Sequence, residues 1–243
     1  LLASYITLII FTLFSYNFII KKFKIIPRFE KLIVQSKILK LLNINLDIVI
    51  RTLFLTFSFL WVTYQGSKLG EDYLAVNTIL MQFIILAAFF LDAYAFSTEG
   101  IIGYSIGRRN KTSFLQVVKN SIQLSLFTAL IISILYLIFF KEIINIITDI
   151  EIIRFISYQH FIWIIIIPPV ASFCYQLDGI FIGASQTKEI RNAMIISVII
   201  FLFASVYLTN YFDNHGLWFS LMFFMILRAL TLRFYFSKIL RKF

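Results

Sequence analysis

Seven apolar stretches of about 20 residues or more follow one another, separated by polar connections that are short except for 21–46: roughly 1–20, 47–65, 74–98, 112–140, 155–184, 190–210 and 215–237. About 20 mostly apolar residues is the length an α-helix needs to cross a bilayer. In lipid every backbone N–H and C=O must be satisfied internally, which leaves helices or closed barrels. No alternating pattern long enough for a barrel strand appears, so the expected fold is an all-α, polytopic membrane helix bundle of about seven transmembrane helices. Some runs exceed one span, so tilt or an overhang into water is expected. Composition agrees: 60% of residues are hydrophobic and only 14% charged, against about 25% charged in a soluble domain.

A net charge of +10 could suggest nucleic acid, but the cations sort by connection. Segment 21–46 holds Lys21, Lys22, Lys24, Arg28, Lys31, Lys37 and Lys40 against Glu30. The third connection holds Arg108, Arg109 and Lys111, the fifth Lys188 and Arg191 against Glu189, and the tail Lys238, Arg241 and Lys242. Between them, 66–73 has Lys68 against Glu71 and Asp72, 141–154 has Lys141 and Arg154 against three acids, and 211–214 has only Asp213. Basic loops face the cytoplasm. The expected setting is the cell's inner (plasma) membrane, with Leu1 outside, the C-terminus inside, the lipid bilayer as partner and no nucleic acid. The chain opens on Leu1 within an apolar run, without the charged n-region of a signal peptide, so an internal start is expected.

The single cysteine, Cys174, lies in an apolar stretch and reads as an inert buried thiol. His160 and His215 are far apart in sequence and show no zinc spacing. No metal cluster or nucleophile–base grouping lies at one membrane depth, so neither an enzyme nor a cofactor is expected. In segment 21–46, FEKLIVQSKILKLL (29–42) sets Leu32, Ile33, Ser36 and Leu39 against Lys31, Lys37 and Lys40, a pattern that suits a helix in the headgroup region.

Ionisable residues inside a membrane are costly and are read as functional by default. Asp92 and Glu99 lie two helical turns apart on one face, with Gly100, Gly103 and Gly107 beside them; Asp178 precedes the pair Gly179 and Gly183. Small residues let helices approach closely, so these acids are expected to face protein rather than lipid. Arg228 lies too deep for easy escape to the surface, and pairing with Asp178 or Asp92 is expected. For the carboxylates an ion pair, a neutral hydrogen-bonded acid and a cation or proton site all stay open. Gln65, Asn77, Gln82, Tyr94, Tyr175 and Gln176 complete the candidate pathway. Pro168 and Pro169 remove two backbone donors, so freed carbonyls either face a cavity or accompany a static kink.

Two longer motifs, LDAYAFSTEGIIGYSIGRRNK (91–111) and QLDGIFIGASQTKEIRNAM (176–194), resemble the DinF-type branch of the MATE (multidrug and toxic compound extrusion) transporters. IRTLFLTFSFLWVTYQGSKLGEDYLAVNTIL (50–80) and GLWFSLMFFMILRALTL (216–232) fit the same branch. The resemblance implies two six-helix lobes rocking around a central cavity. Residues 1–20 would be the last helix of the N-terminal lobe, 21–46 a basic cytoplasmic inter-lobe loop, and 47–243 the C-terminal lobe. It also implies secondary active export of small organic, often cationic, compounds in exchange for H⁺ or Na⁺, with the missing N-terminal lobe as partner. In some sodium-linked members a carboxylate pair lies on the helices matching 47–65 and 155–184. Asp178 fits the second position, but past Arg51 the first helix offers only Thr56, Ser58, Thr63 and Gln65 as polar groups. The alternatives are a lipid-linked precursor flippase of the same superfamily, which would need more cations than Arg228, and a non-transporting membrane subunit.

Overall fold

The computed structural model describes residues 6–15 and 35–243. Its helices are α1 (Ile6–Ser15), α2 (Gln35–Lys68), α3 (Glu71–Gly107), α4 (Lys111–Ile147), α5 (Glu151–Gly183) and α6 (Thr187–Leu240), with no strand among the described residues. By internal contacts the chain divides into two compact units, Leu1–Asn43 and Ile44–Phe243. In the first, α1 and the opening residues of α2 are described. Residues 29–34 of the expected surface helix lie outside the described residues, and the rest of it, from Gln35, is helical. Helices α2 to α6 are each long and apolar enough to cross a membrane; the protein is a multi-pass membrane protein.

Short turns between helices make sequence neighbours antiparallel. Asn110 opens α4 by accepting a hydrogen bond from the Ser113 backbone N–H at 2.9 Å, satisfying one of the free donors of a helix start. The expected spans 190–210 and 215–237 are two legs of α6, which loses helical geometry at Phe212 and at Asp213 (φ 48°, ψ −135°). There the chain doubles back so tightly that a Cβ on Gly216 would strike the Leu208 carbonyl, which only glycine avoids. The outbound leg runs parallel to α2: Asp47 meets Arg191 and Trp61 meets Ser205, both 144 residues apart. The return leg runs parallel to α5, with Trp163 on His215 and Cys174 on Met225. The second unit is therefore a bundle of six spanning legs.

Side-chain contacts fix the two ends of this bundle. At one end the ring of Phe114 lies against Phe236 and Phe243, Lys238 reaches Glu189 at 3.1 Å and Lys242 Nζ donates to the Ala184 carbonyl. The Arg108/Arg109/Lys111 turn, the Lys188/Arg191 turn and the basic tail thus gather there. At the other end Tyr73 meets His160, His160 stacks on His215 and Asn77 donates to Asn214. That end collects Glu71, Asp72, Asp149, Glu151 and Asp213. Lys68, Lys141 and Arg154 share that end and Glu189 the other, so it is the balance of charge, not every charge, that separates in space.

α5 is the most buried span and α2 the least; α3 and α5 share the most extensive contact. α5 also carries the proline pair. Pro169 has no N–H for the carbonyl four residues back, that of Ile165. Ser133 Oγ on α4 lies 2.7 Å from that oxygen and 2.9 Å from Ala129 O, sharing its proton between them. The Ile165 carbonyl is therefore capped by a neighbouring helix. Ser133→Ala is expected to lower stability by about 1 kcal/mol, read as a reduced melting midpoint in detergent; an unchanged midpoint contradicts this account of the kink.

Candidate functional site

Two apolar cores fill the bundle, a larger one including Cys174, Tyr175, Phe224 and Met225, and a smaller one including Leu177, Ile180, Phe181 and Leu232. Between them, on α5 and the return leg of α6, lies a charged layer. Asp178 is five residues from the end of α5, about 8 Å inside the basic end at 1.5 Å per residue. Its Oδ2 accepts from Arg228 Nη2 at 2.6 Å and also from Arg51 Nη2. One carboxylate oxygen thus joins three helices, α2, α5 and α6.

Burying three charges is costly, and the Coulombic return depends on close geometry and on further contacts to the remaining polar atoms. Arg228 has such contacts: its guanidinium lies 5.5 Å from the Phe224 ring and 5.9 Å from that of Tyr175, and Nη1 reaches Met225 Sδ at 3.4 Å. Two atoms lack a hydrogen-bond partner despite burial, Asp178 Oδ1 and Arg51 Nε. The pair expected between Arg228 and either Asp178 or Asp92 is formed with Asp178. Arg51 is the residue that sequence reasoning passed over. It is the only cation in the 47–65 stretch, the one signal that could have marked it.

α3 brings two more acids to this layer. A Cβ on Gly179 would sit 2.5 Å from Ala95 O, and one on Gly183 would sit 2.5 Å from Glu99 O. The two glycines therefore let the α3 backbone lie directly on α5. Gly103 joins this contact, where a Cβ would sit 3.4 Å from Gly183 O, whereas Gly100 and Gly107 face open space. Asp92 and Glu99 are half-buried and neither makes a hydrogen bond or ion pair among the described residues. Asp92 interacts electrostatically with Arg51, Asp178 and Arg228, and Glu99 with Arg51. Counting all five groups as ionised, two cations face three carboxylates, a net charge of −1.

The other candidates divide by position. Gln176 is fully buried in the α3–α5 seam, its Nε2 donating to Leu91 O and its Oε1 accepting from Thr98, both at 3.3 Å. Tyr175 lies under Arg228. The Tyr94 hydroxyl accepts from Thr128 of α4 at 2.9 Å, and Gln82 is exposed. Asn77 is near the acidic end: its Nδ2 donates to Asn214 at 2.7 Å and its Oδ1 accepts from Trp218 at 2.8 Å, which ties α3 to the reversal in α6. Gln65 is buried on α2, next to Gly66, which packs on Asn77. Asp178, Arg228, Tyr175, Asp92, Glu99 and Gln176 thus share one neighbourhood; Asn77, Gln65, Gln82 and Tyr94 lie outside it.

Three further features were not anticipated. Asp47, 4% exposed, accepts from Arg191 at 2.5 Å and from Thr187 at 2.9 Å, clamping α2 to the start of α6. Trp218 and Asn214 complete the Asn77 network. His160 and His215, distant in sequence, stack with ring centroids 4.2 Å apart. Trp163 Nε1 donates to His215 Nδ1 at 3.1 Å, which fixes that nitrogen as an acceptor.

A six-leg helix bundle with a buried charge layer defines a polytopic membrane protein, and its relatives assign it to a family. The MatE family model matches residues 48–208, so the chain belongs to the MatE family of transporters. It is 36% identical over 193 residues to DNA damage-inducible protein F of Escherichia coli (strain K12), a match covering 79% of this chain and 42% of that protein. The fold is similar to Vibrio cholerae MATE transporter VcmN in the bent form, with TM-score 0.75 and 17% identity over 86% of this chain and 48% of that one. It is also similar to an outward-facing multidrug resistance MATE family transporter of the MOP superfamily, with TM-score 0.74 and 17% identity over 82% of this chain and 45% of that one. At that identity the structures show the fold alone. The chain spans about half the length of these relatives.

Proposed function

We propose that this chain works as the C-terminal lobe of a secondary active exporter in the inner membrane. It expels organic, often cationic, compounds in exchange for H⁺ or Na⁺. The single observation that carries this reading is the MatE match over residues 48–208. Residues 47–243 are the six-helix lobe, 21–46 the inter-lobe loop, and a second lobe is the partner against which this one rocks to give alternating access. The basic end, with the C-terminus, faces the cytoplasm under the positive-inside rule.

The flippase alternative needs cations to hold a pyrophosphate. Arg51 adds a second guanidinium beside Arg228, but both are taken by Asp178, Asp92 faces both and Glu99 faces Arg51, which favours a cationic cargo. The test is expression of the full-length protein in a drug-hypersensitive strain lacking its own exporters. The expected result is restored resistance to lipophilic cations, lost when the ion gradient is collapsed. Normal membrane insertion without any restored resistance contradicts export and leaves the non-transporting subunit.

A further inference from the structure

We propose that Arg51 is a built-in competitor of the cargo. It neutralises Asp178 in the empty protein and is displaced, toward Asp92 and Glu99, when an organic cation enters the charged layer. This rests on the export reading above and adds to it a specific role for one residue.

The asymmetry between the two arginines carries the inference. Both bind the same oxygen of Asp178, yet the Arg228 side chain is 1% exposed and that of Arg51 is 18% exposed. Arg228 is held by Met225 Sδ and by the faces of Tyr175 and Phe224. Among the described residues Arg51 makes no hydrogen bond beyond its contact with Asp178, and its Nε is buried without a partner. One arginine is built in; the other is attached at a single point, on the most exposed of the spanning helices.

The destination is also present. Gly179 and Gly183 press the Ala95–Glu99 segment of α3 onto α5, so two half-buried, unpaired carboxylates lie beside the layer, both within the electrostatic field of Arg51. A guanidinium that leaves Asp178 for either of them keeps a charge-assisted partner. Asp178 stays paired with Arg228, and its second oxygen, Oδ1, buried and without a partner, is available to the incoming cation. Tyr175 adds an aromatic face of the kind that attracts cations. With all five groups ionised the layer carries −1, which favours a monovalent cation over an anion.

Removing the competitor should therefore tighten cation binding. The test is equilibrium binding of tetraphenylphosphonium to the purified full-length protein in lipid nanodiscs, with no ion gradient. Arg51→Gln is expected to bind it about tenfold more tightly than the natural protein, the scale of one removed like charge nearby. Arg51→Lys, which keeps the charge, should stay within a few-fold of the natural affinity. The Asp92→Asn/Glu99→Gln double variant leaves Arg51 nowhere to go and should bind more weakly. Unchanged or weaker binding in Arg51→Gln overturns the proposal, as does the absence of measurable binding in both it and the natural protein. If Arg51→Gln does not fold, undiminished binding in the double variant overturns it instead. Because the assay reads binding, failure of export with a tightened Arg51→Gln sinks only the exporter reading; export with an unaltered Arg51→Gln sinks only this one.

Discussion

Asp178→Ala is expected to destroy the folded protein, while a variant that removes Asp178 together with Arg51 and Arg228 folds. Among the described residues Asp178 is the one carboxylate that is ion-paired with Arg228, whose side chain is 1% exposed. Deleting one member of a buried pair leaves a naked charge and costs about 3–5 kcal/mol, a large share of the stability of any domain. Arg51 can turn toward Asp92 or Glu99, so the charge left without a close counterion is that of the more deeply buried Arg228. Replacing buried ionic groups by apolar residues of similar volume is often neutral or better. The triple variant Arg51→Met/Asp178→Leu/Arg228→Met should therefore melt near the natural protein, although it would no longer bind cations. The measurement is the melting midpoint and monodisperse yield in detergent for the single, triple and Asp178→Ala/Arg228→Met variants. A strictly additive cycle, or an Asp178→Ala protein as stable as the parent, contradicts the reading of this layer as one coupled unit.

The second large effect is expected at the α3–α5 contact. Gly179→Val and Gly183→Val each push a branched side chain into backbone: even the Cβ alone would sit 2.5 Å from a carbonyl oxygen and 2.9 Å from a Cα of α3. Neither neighbour is a flexible side chain, so the helices must separate. Overpacking of this kind costs about 1–3 kcal/mol or more, and separation also moves Asp92 and Glu99 away from Arg51. Gly100 and Gly107 meet nothing within 4 Å. Gly100→Ala is therefore expected to be neutral or to stabilise by up to about 1 kcal/mol through helix propensity. Thermal unfolding of the three single variants checks this; equal losses at Gly100 and Gly179 would contradict the packing.

The helices were legible because apolar length and turn chemistry are local. Asn110 before Lys111, the clustered charges and the short connections each mark a boundary without reference to any distant residue. The tight approach at Gly179 and Gly183 was legible for the same reason, since GxxxG is a local pattern. The partners of Asp178 were only half legible. Arg228 stood out because it sits deep in an apolar run. Arg51 did not, because it lies near the end of its stretch, where arginines commonly reach to the surface; only the tertiary arrangement turns it inward. The stacked histidines and the Asp47 clamp were invisible for the same reason, being contacts between residues 55 and 144 positions apart. Gly100 and Gly107 shared a small-residue stripe with Gly103, yet only Gly103 meets a neighbour: spacing names a face but not what covers it.

The connections segregate by net charge to opposite faces of one membrane bundle, with the charged layer near the basic face. This segregation is tested most directly by labelling single cysteines in intact cells with a membrane-impermeant maleimide. Asn110→Cys and Gln186→Cys would report the basic end, and Leu69→Cys and Asp149→Cys the acidic end, with the buried Cys174 replaced by alanine. Cysteines at 69 and 149 are expected to label from outside, and those at 110 and 186 only after the membrane is opened. Labelling of one site from each end on the same side of the membrane would contradict the account.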